Sequence, residues 1–282
     1  MPSLPAGLWV VATPIGNLAD ISSRARKVLE EADLILSEDT RRALFLFRQN
    51  GIHVREFSSF HEHNEAEQIP GILNRLQKGA AIALVSDAGT PLLADPGYRL
   101  VRECHNHDIP VHPVPGPSAV IAALSVAGLP AIPYTFLGFL PRSKSEKEKL
   151  FSRYVRIPGS LVFFERKDRL HDSLLAAFGI LGEREIAICR ELTKTHEEII
   201  KGNLGYFAKN CPQLLGEITV IIGPSLSEER LSVTEVRQIL ANKIRVGKKM
   251  KEAVHSAQPH CPGWSSGELY TLATLLREEM RE

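Results

Sequence analysis

Several features are scarce or missing in this sequence of 282 residues. No apolar run approaches the roughly eighteen residues that a membrane-spanning helix requires, so we expect no membrane span. The four cysteines lie far apart and form no CxxC pair, which is unlike a zinc site or a disulfide framework. The short apolar run near the start follows no basic leader and is more typical of a buried strand than of a signal peptide. We therefore expect a cytoplasmic protein with reduced, structural cysteines.

An excess of charge of one sign is also missing, because 34 Lys and Arg residues balance 33 Asp and Glu residues. The net charge of +1 provides no global basic field, so total charge does not predict nucleic-acid binding. Two local runs are basic, however. Residues 142–156 carry six Lys or Arg and two Glu, and residues 243–251 carry five Lys or Arg and no acid. Such runs are usually solvated helix faces, but they also suit contact with phosphates.

Short apolar runs alternate with helical patterns along the first part of the chain. Strands are predicted at residues 8–13, 33–38, 52–57, 80–85 and 111–114, and helices at residues 21–32, from about 40, 64–77 and 96–106. This alternation predicts a parallel sheet in an α/β domain over residues 1–114.

The rest of the chain is predicted to form a second α/β domain and a helical segment. The composition changes at residues 132–149, which we interpret as a junction. Beyond it, strands are predicted at residues 160–165, 185–192 and 217–223, with helices near 170–178 and 204–209. The second domain is assigned to residues 115–224. Residues 225–282 are predicted to be helical, with a break at SAQPHCPGWSSG.

Four turns rich in Gly and Pro follow predicted strands. They are TPIGN (13–17), VSDAGTPLLADPG (85–97), PGPSA (115–119) and IGP (222–224). None has the Lys and Ser/Thr of a Walker loop or the GxGxxG spacing of a Rossmann fold. In an open α/β sheet, ligands bind at the carboxyl ends of the strands. Exposed backbone groups at such turns suit a flat polar ligand such as an adenosyl group. The alternative role for Asp87 is a cap within its own turn.

Seven segments carry a resemblance to a known family. In order and spacing they resemble the ribosomal RNA small subunit methyltransferase I group of the tetrapyrrole methylase superfamily: VVATPIGNLADIS, SEDTRR, FHEHNE, ALVSDAGTPLLADPGYRLV, VPGPSAVIAALSVAGLP, FLGFLP and RELTKTHEEI. The resemblance covers roughly residues 8–224. The sequence departs from the group at FERKDRL (164–170), which is more basic than usual, and at Arg42, where a His is commoner.

The resemblance implies a fold and an activity. The expected fold has two α/β domains with a cleft for S-adenosylmethionine between them, in a homodimer. The expected reaction is 2′-O-methylation of a cytidine ribose in the decoding region of 16S ribosomal RNA, with the RNA or the 30S subunit as partner. The resemblance assigns the cofactor pocket to Pro14, Ile15, Asp87, Gly89, Thr90, Ser118, Ala119, Phe164 and Leu192.

The chemistry of the reaction suggests further residues. Methyl transfer from a sulfonium is an in-line displacement with a good leaving group, so most catalysis can come from positioning. A ribose hydroxyl is a poor nucleophile, so a base or hydrogen-bond acceptor would help. The candidate catalytic residues are Glu38, Arg41, His61, Glu62 and Glu191. The candidate RNA-binding cations are Arg41, Arg42, Lys194, Lys248, Lys249 and Lys251.

The sequence leaves a metal site and two other functions to consider. His61 and His63 alternate as metal ligands can, but the rest of a metal site is missing from the sequence pattern, so no metal is predicted. A tetrapyrrole or diphthamide-type methyltransferase would use the same cofactor. A porphyrinoid substrate, however, would need a larger apolar binding site. A non-catalytic RNA-binding factor for ribosome assembly would bind no cofactor.

Overall fold

A computed structural model describes residues 4–225, 231–245, 250–261 and 263–280. The chain divides into two compact units, Met1–Pro224 and Ser225–Glu282. The first unit contains two five-stranded sheets. The predicted domain boundary at residue 114 falls inside this unit, and the division into two domains stays a prediction. Across the described ranges, every helix is too short or too polar to cross a membrane.

The elements of the first sheet and its helices are β1 (Gly7–Val11), α1 (Ser23–Glu31), β2 (Leu34–Ser37), α2 (Thr40–Gln49), β3 (Phe57–Ser59), α3 (Glu65–Gln77), β4 (Ala81–Val85), α4 (Tyr98–Asn106) and β5 (Val111–Val114). The sheet is parallel, as predicted, with the strand order β3-β2-β4-β1-β5. All five residues of β4 are buried. A central strand covered on both faces needs such a continuous apolar run, which is why the sequence revealed it.

The position predicted for β3 was wrong by several residues. The strand was expected at residues 52–57 but begins at Phe57. Ile52 is buried because it closes the end of α2, where its backbone N–H donates a 2.9 Å hydrogen bond to the carbonyl of Phe47. The apolar residue therefore belongs to a helix terminus and not to the sheet.

The elements of the second sheet and its helices are α5 (Ala119–Val126), β6 (Tyr134–Phe139), α6 (Lys144–Ser152), β7 (Ser160–Arg166), α7 (Leu170–Leu181), β8 (Glu185–Arg190), β9 (Glu198–Asn203), α8 (Leu204–Lys209) and β10 (Glu217–Ile222). The sheet is mixed, with the strand order β6-β7-β10-β8-β9. Only β6 and β7 pair in parallel, and the other three pairs are antiparallel.

Two strands of this sheet were not predicted. β6 and most of α6 lie within residues 132–149, where a junction was expected, and β9 follows β8. Both strands lie at edges of the sheet and are only half-buried. β9 has only a short apolar stretch, and β6 is interrupted at Gly138, where φ is +67° and the pairing with β7 shifts register, so neither shows a regular strand pattern.

The two sheets share part of their packing. α5 packs its buried residues Val120, Ala123 and Leu124 in a cluster with residues of the second sheet, including Val162. Ile15, from the turn after β1, belongs to the same cluster. The first sheet therefore contributes an apolar side chain to the core of the second at the point where their strand ends approach.

The second unit is helical in its described residues, as predicted. It contains α9 (Val233–Arg245), α10 (Met250–Ala257) and α11 (Ser266–Glu279), with a short 3₁₀ turn at Gln258–His260 inside the predicted break. Its buried core includes Val236, Leu240, Val254, Leu269 and Ala273.

Candidate active site

The turns that follow β1 and β4 are joined by their backbones. The N–H of Thr13 donates a 2.8 Å hydrogen bond to the carbonyl of Gly89, and the N–H of Gly89 donates a 3.0 Å bond back to Thr13. Gly89 has a φ of +82°, and a Cβ at this position would lie 3.3 Å from Cγ2 of Ile15. A side chain here would be strained by conformation and by contact. The two turns thus form one rigid wall.

A cavity of about 750 Å³ opens beside this wall, within residues 1–224. The ends of β2 and β4 line one side, and the second sheet with the start of α5 lines the other. Eight of the nine residues predicted for the cofactor line it: Ile15, Asp87, Gly89, Thr90, Ser118, Ala119, Phe164 and Leu192. The ninth, Pro14, is buried outside the lining. Binding of a cofactor by these residues stays a prediction.

Asp87 connects the tip of β4 to the start of α2. Its Oδ1 accepts a 2.9 Å hydrogen bond from the backbone N–H of Asp39, and its Oδ2 lies 3.1 Å from Nη1 of Arg42. Asp39 is the N-cap of α2 and accepts from the N–H of Arg41. The Asp87 carboxylate therefore holds a neighbouring helix in place, a role that goes beyond a cap within its own turn.

The two arginines of SEDTRR are used differently. Arg42 lines the cavity through its contact with Asp87. Arg41 pairs with Asp39 at 3.0 Å outside the lining, and its side chain is 88% exposed. The hydrogen bond from Arg41 lowers the pKa of Asp39 to about 2. The structure places only Arg42 at the cavity, although both were predicted to act at the site.

Three carboxyl groups of the first sheet face the cavity, from Glu38, Asp87 and Asp95. Burial, and after it the nearby charges of Glu38 and Asp87, together raise the pKa of Asp95 to about 6. The pKa of Glu38 is also raised, first by burial and then by Asp87. Sequence reasoning missed Asp95. The available signal was the second aspartate of the long turn, directly before a rigid Pro-Gly pair.

The predicted histidine segment lies beside the cavity without lining it. His61 and Glu62 belong to the loop between β3 and α3. The charge of a protonated His61 would lower the pKa of Glu38, so the two side chains are near each other. Nδ1 of His61, Oγ of Ser37 and Oε1 of Glu65 are buried and have no hydrogen-bond partner in the described structure. No three His, Cys, Asp or Glu side chains among the described residues are arranged to hold a metal ion.

Glu191 and Lys194 are paired with each other outside the cavity lining. Nζ of Lys194 lies 2.9 Å from Oε1 of Glu191 and 3.0 Å from Oε2 of Glu217. The same oxygen of Glu191 accepts the backbone N–H of Glu217 at 2.9 Å. The hydrogen bond from Lys194 lowers the pKa of Glu191. A carboxylate with a lowered pKa is a weak base, so this geometry favours a structural role over the predicted catalytic and RNA-binding roles.

The basic segment at the end of β7 reaches the cavity rim. Arg166 and Lys167 line it, and neither was among the predicted RNA-binding residues. They follow Glu165, whose side chain is fully buried and contacts Oγ of Ser173 at 2.5 Å and Nε of Arg169 at 3.3 Å. The rim cations therefore project from a firmly held strand end.

The predicted lysines near the C-terminus belong to the second unit. Lys248 and Lys249 lie outside the described residues. Lys251 is exposed in the first turn of α10. Its role in RNA binding stays a prediction.

Comparison with known proteins identifies the family. Residues 7–208 match the family model of Tetrapyrrole (Corrin/Porphyrin) Methylases. The chain is 41% identical to the Ribosomal RNA small subunit methyltransferase I of Escherichia coli O157:H7, over 94% of both chains. It is 44% identical to the protein of that name from Mesorhizobium japonicum, over 89% of this chain and 87% of the relative. The chain belongs to this family of methyltransferases. The resemblance inferred from the seven segments is thus confirmed.

Solved structures confirm the predicted fold class. Uroporphyrin-III C-methyl transferase from Thermus thermophilus, complexed with S-adenyl homocysteine, aligns with a TM-score of 0.55 and 17% identity, over 77% of this chain and 97% of the other. Diphthine synthase aligns with a TM-score of 0.61 and 14% identity, over 77% of this chain and 89% of the other. At such low identity, these matches establish the fold alone.

Proposed function

We propose that this protein transfers a methyl group from S-adenosylmethionine to the ribose 2′-hydroxyl of a cytidine in the decoding region of 16S ribosomal RNA. The observation that carries this proposal is the 41% identity, over 94% of both chains, to a relative named Ribosomal RNA small subunit methyltransferase I. The type of nucleotide, the ribose oxygen and the decoding region rest on the resemblance of the motifs.

The size and lining of the cavity support binding of the methyl donor there. Its volume of about 750 Å³ lies within the usual range for small-molecule sites, roughly 300–1,000 Å³. Ile15, Phe164 and Leu192 provide apolar surface for the adenine ring, and the turn at Gly89 exposes backbone polar groups. When bound, S-adenosylmethionine supplies an electrophilic methyl group on a sulfonium. The protein's task is then to orient the acceptor hydroxyl and to keep competing water away.

The cations around the cavity suit an RNA strand. Arg42, Arg166 and Lys167 line the cavity and are the residues we assign to backbone phosphates. Contacts to phosphate and sugar would position the strand, while the target nucleotide turns out of its stack toward the methyl donor. This arrangement favours RNA over a porphyrinoid substrate, which offers no chain of phosphates.

Transfer of labelled methyl groups tests the proposal directly. Purified protein is incubated with labelled S-adenosylmethionine and with naked 16S RNA, 30S particles or a tetrapyrrole precursor, and the modified nucleotide is mapped. A 2′-O-methylcytidine in the decoding region is the expected product. A label on a base, on another ribose or on the tetrapyrrole would contradict the proposal. Binding to RNA without transfer and without donor binding would favour the non-catalytic assembly factor.

We also propose that the protein is a cytoplasmic homodimer. This proposal rests on the family resemblance. Light scattering of the purified protein measures its mass in solution, and cell fractionation gives its location.

A further inference from the structure

We propose that Asp95 accepts the proton of the acceptor hydroxyl during methyl transfer. This inference rests on the proposed function, because an O-methylated product requires the hydroxyl to lose its proton. Asp95 is one of three carboxyl groups of the first sheet in the cavity. Of the three, Asp95 is the one whose carboxylate is free to act as a base.

The loop that carries Asp95 is held in a constrained conformation. Leu92 has a φ of +78°, which is unusual for a non-glycine residue. Gly97 has a φ of +119°, and a Cβ there would lie 2.6 Å from Cδ2 of Leu84 and 2.8 Å from Cδ2 of Leu92. Between these two points, Leu93, Ala94 and Asp95 line the cavity. Constrained backbone of this kind is concentrated at functional sites, because it fixes where a side chain projects.

The other two carboxylates are less suited to the role. Asp87 already accepts from the N–H of Asp39 and pairs with Arg42, so its charge is compensated. Glu38 is exposed, and Arg42 partly offsets its raised pKa. Asp95 is half-buried and near the negative charges of both, which raise its pKa, while the Ser86 side chain lowers it.

The electrostatic surroundings set the strength of this base. The other charged residues that line the cavity are Glu38, Arg42, Asp87, Glu165, Arg166, Lys167, Asp168 and Glu217. Burial is the largest cause of the raised pKa of Asp95, and among these residues Glu38 and Asp87 add to it, for a pKa of about 6. A base with this pKa is ionised at neutral pH and accepts a proton more readily than an ordinary carboxylate does.

The proton and electron balance of the step is complete. An oxygen lone pair of the hydroxyl forms the new bond to the methyl carbon while the carbon–sulfur bond breaks and its electron pair stays on sulfur. The hydroxyl proton passes to the Asp95 carboxylate. The donor leaves as a neutral thioether, and the carboxylic acid returns its proton to solvent.

Single-turnover methyl transfer to RNA, measured from pH 5 to 9, tests the role of Asp95. The wild-type rate should rise about tenfold per pH unit below pH 6 and level off above it, because the carboxylate must be ionised. Asp95→Asn should lower the plateau rate about 10²- to 10⁴-fold and remove the increase of rate with pH, with unchanged affinity for S-adenosylhomocysteine by calorimetry.

Glu38→Gln should move the increase of rate to lower pH, because it removes a charge that raises the pKa of Asp95. Asp108→Asn is the matched control, since Asp108 is exposed and its φ of +53° suits Asn.

The outcomes separate this inference from the proposed function. An active wild type with an Asp95→Asn variant of equal rate and equal pH profile would overturn the role of Asp95 alone. Cofactor affinity that falls as much as the rate would also overturn it, because Asp95 would then be a cofactor ligand. Should Asp95→Asn fail to fold, Asp95→Glu is the test variant. Because it shifts the position of the carboxylate, it must change both the plateau rate and the pH at which the rate increases, and a pH–rate profile identical to the wild type contradicts the role. A wild type that binds the donor but never methylates RNA would overturn the proposed function and this inference with it.

Discussion

The backbone N–H of Asn17 donates a 3.0 Å hydrogen bond to the hydroxyl oxygen of Thr193. Asn17 follows β1 in the first sheet, and Thr193 follows β8 in the second, so this bond joins the sheets beside the cavity. Thr193 and Glu191 have φ values of +66° and +48°, which are unusual for residues with side chains. Each such conformation costs on the order of 1–3 kcal/mol and must be stabilised by surrounding contacts.

Substitution of Gly16 should loosen this junction. A Cβ on Gly16 would lie 2.4 Å from Cγ of Lys194 and 2.8 Å from Oγ1 of Thr193. We expect Gly16→Ala to destabilise the protein by about 1–3 kcal/mol and to weaken binding of S-adenosylmethionine. Thermal melting and calorimetry measure the two effects. Gly71→Ala in α3 is the control, because a Cβ there meets open space. Equal melting temperatures for both variants would show that the junction tolerates a side chain.

Removal of the Asp87 carboxylate should disturb the turn after β4, which forms part of the cavity wall. Asp87→Ala leaves Arg42 without this partner and removes the acceptor for the N–H of Asp39. We expect affinity for S-adenosylmethionine to fall at least about tenfold, since hydrogen bonds to charged groups are among the stronger ones. Calorimetry measures this affinity, and Asp172→Ala, which alters an exposed aspartate, is the control. Unchanged affinity would remove Asp87 from the pocket.

Reversal of charge at Lys167 should weaken RNA binding in a salt-dependent way. If Lys167 contacts one phosphate, Lys167→Glu should reduce the slope of log affinity against log salt concentration by about one. Filter binding across a salt series measures the slope. Lys209→Glu, at the exposed end of α8, is the matched control. Identical slopes for the two variants would contradict a phosphate contact at Lys167.

The basic run of the second unit can be tested in the same assay. Reversal of Lys248, Lys249 and Lys251 together should weaken RNA association and flatten its salt dependence, while affinity for S-adenosylmethionine stays the same. RNA binding that survives the triple reversal would mean that the run is a solvated surface.

The buried thiols should resist alkylation at ordinary pH. Burial raises the pKa of both Cys104 and Cys189 to about 11, so about one thiol in a thousand is ionised at pH 8. We expect both to react slowly with iodoacetamide in the folded protein and faster as pH rises toward 11. Mass spectrometry of labelled peptides measures each site, with the protein in denaturant as the control. Rapid labelling of native Cys104 at pH 8 would contradict this prediction.

The sequence predicted those features whose residues have partners nearby in the sequence, and missed those whose partners are brought close only by the tertiary fold. β4 and its turn were found because a buried central strand and a Pro/Gly turn are local patterns. β9 was missed because it has only a short apolar stretch, and β6 because its irregularity at Gly138 breaks the alternation of a strand. Glu191 was predicted to be catalytic and Lys194 to bind RNA. The sequence does not show that both contact Glu217, 26 positions after Glu191, because this is a tertiary contact. For the same reason the sequence did not show that Asp87 and Asp95 differ in their surroundings. Asp87 is paired with Arg42, whereas the ion pairs of the described residues include none with Asp95.

The strand order of the second sheet has a consequence for synthesis of the chain. β10 is its last strand in sequence, yet it lies between β7 and β8. A nascent chain that has not reached Glu217 exposes two unpaired strand edges, both rich in apolar residues. Such edges can pair with other chains, so the protein is open to aggregation until residue 222 has left the ribosome. Chaperone demand should therefore peak late in translation, well after the first sheet is complete.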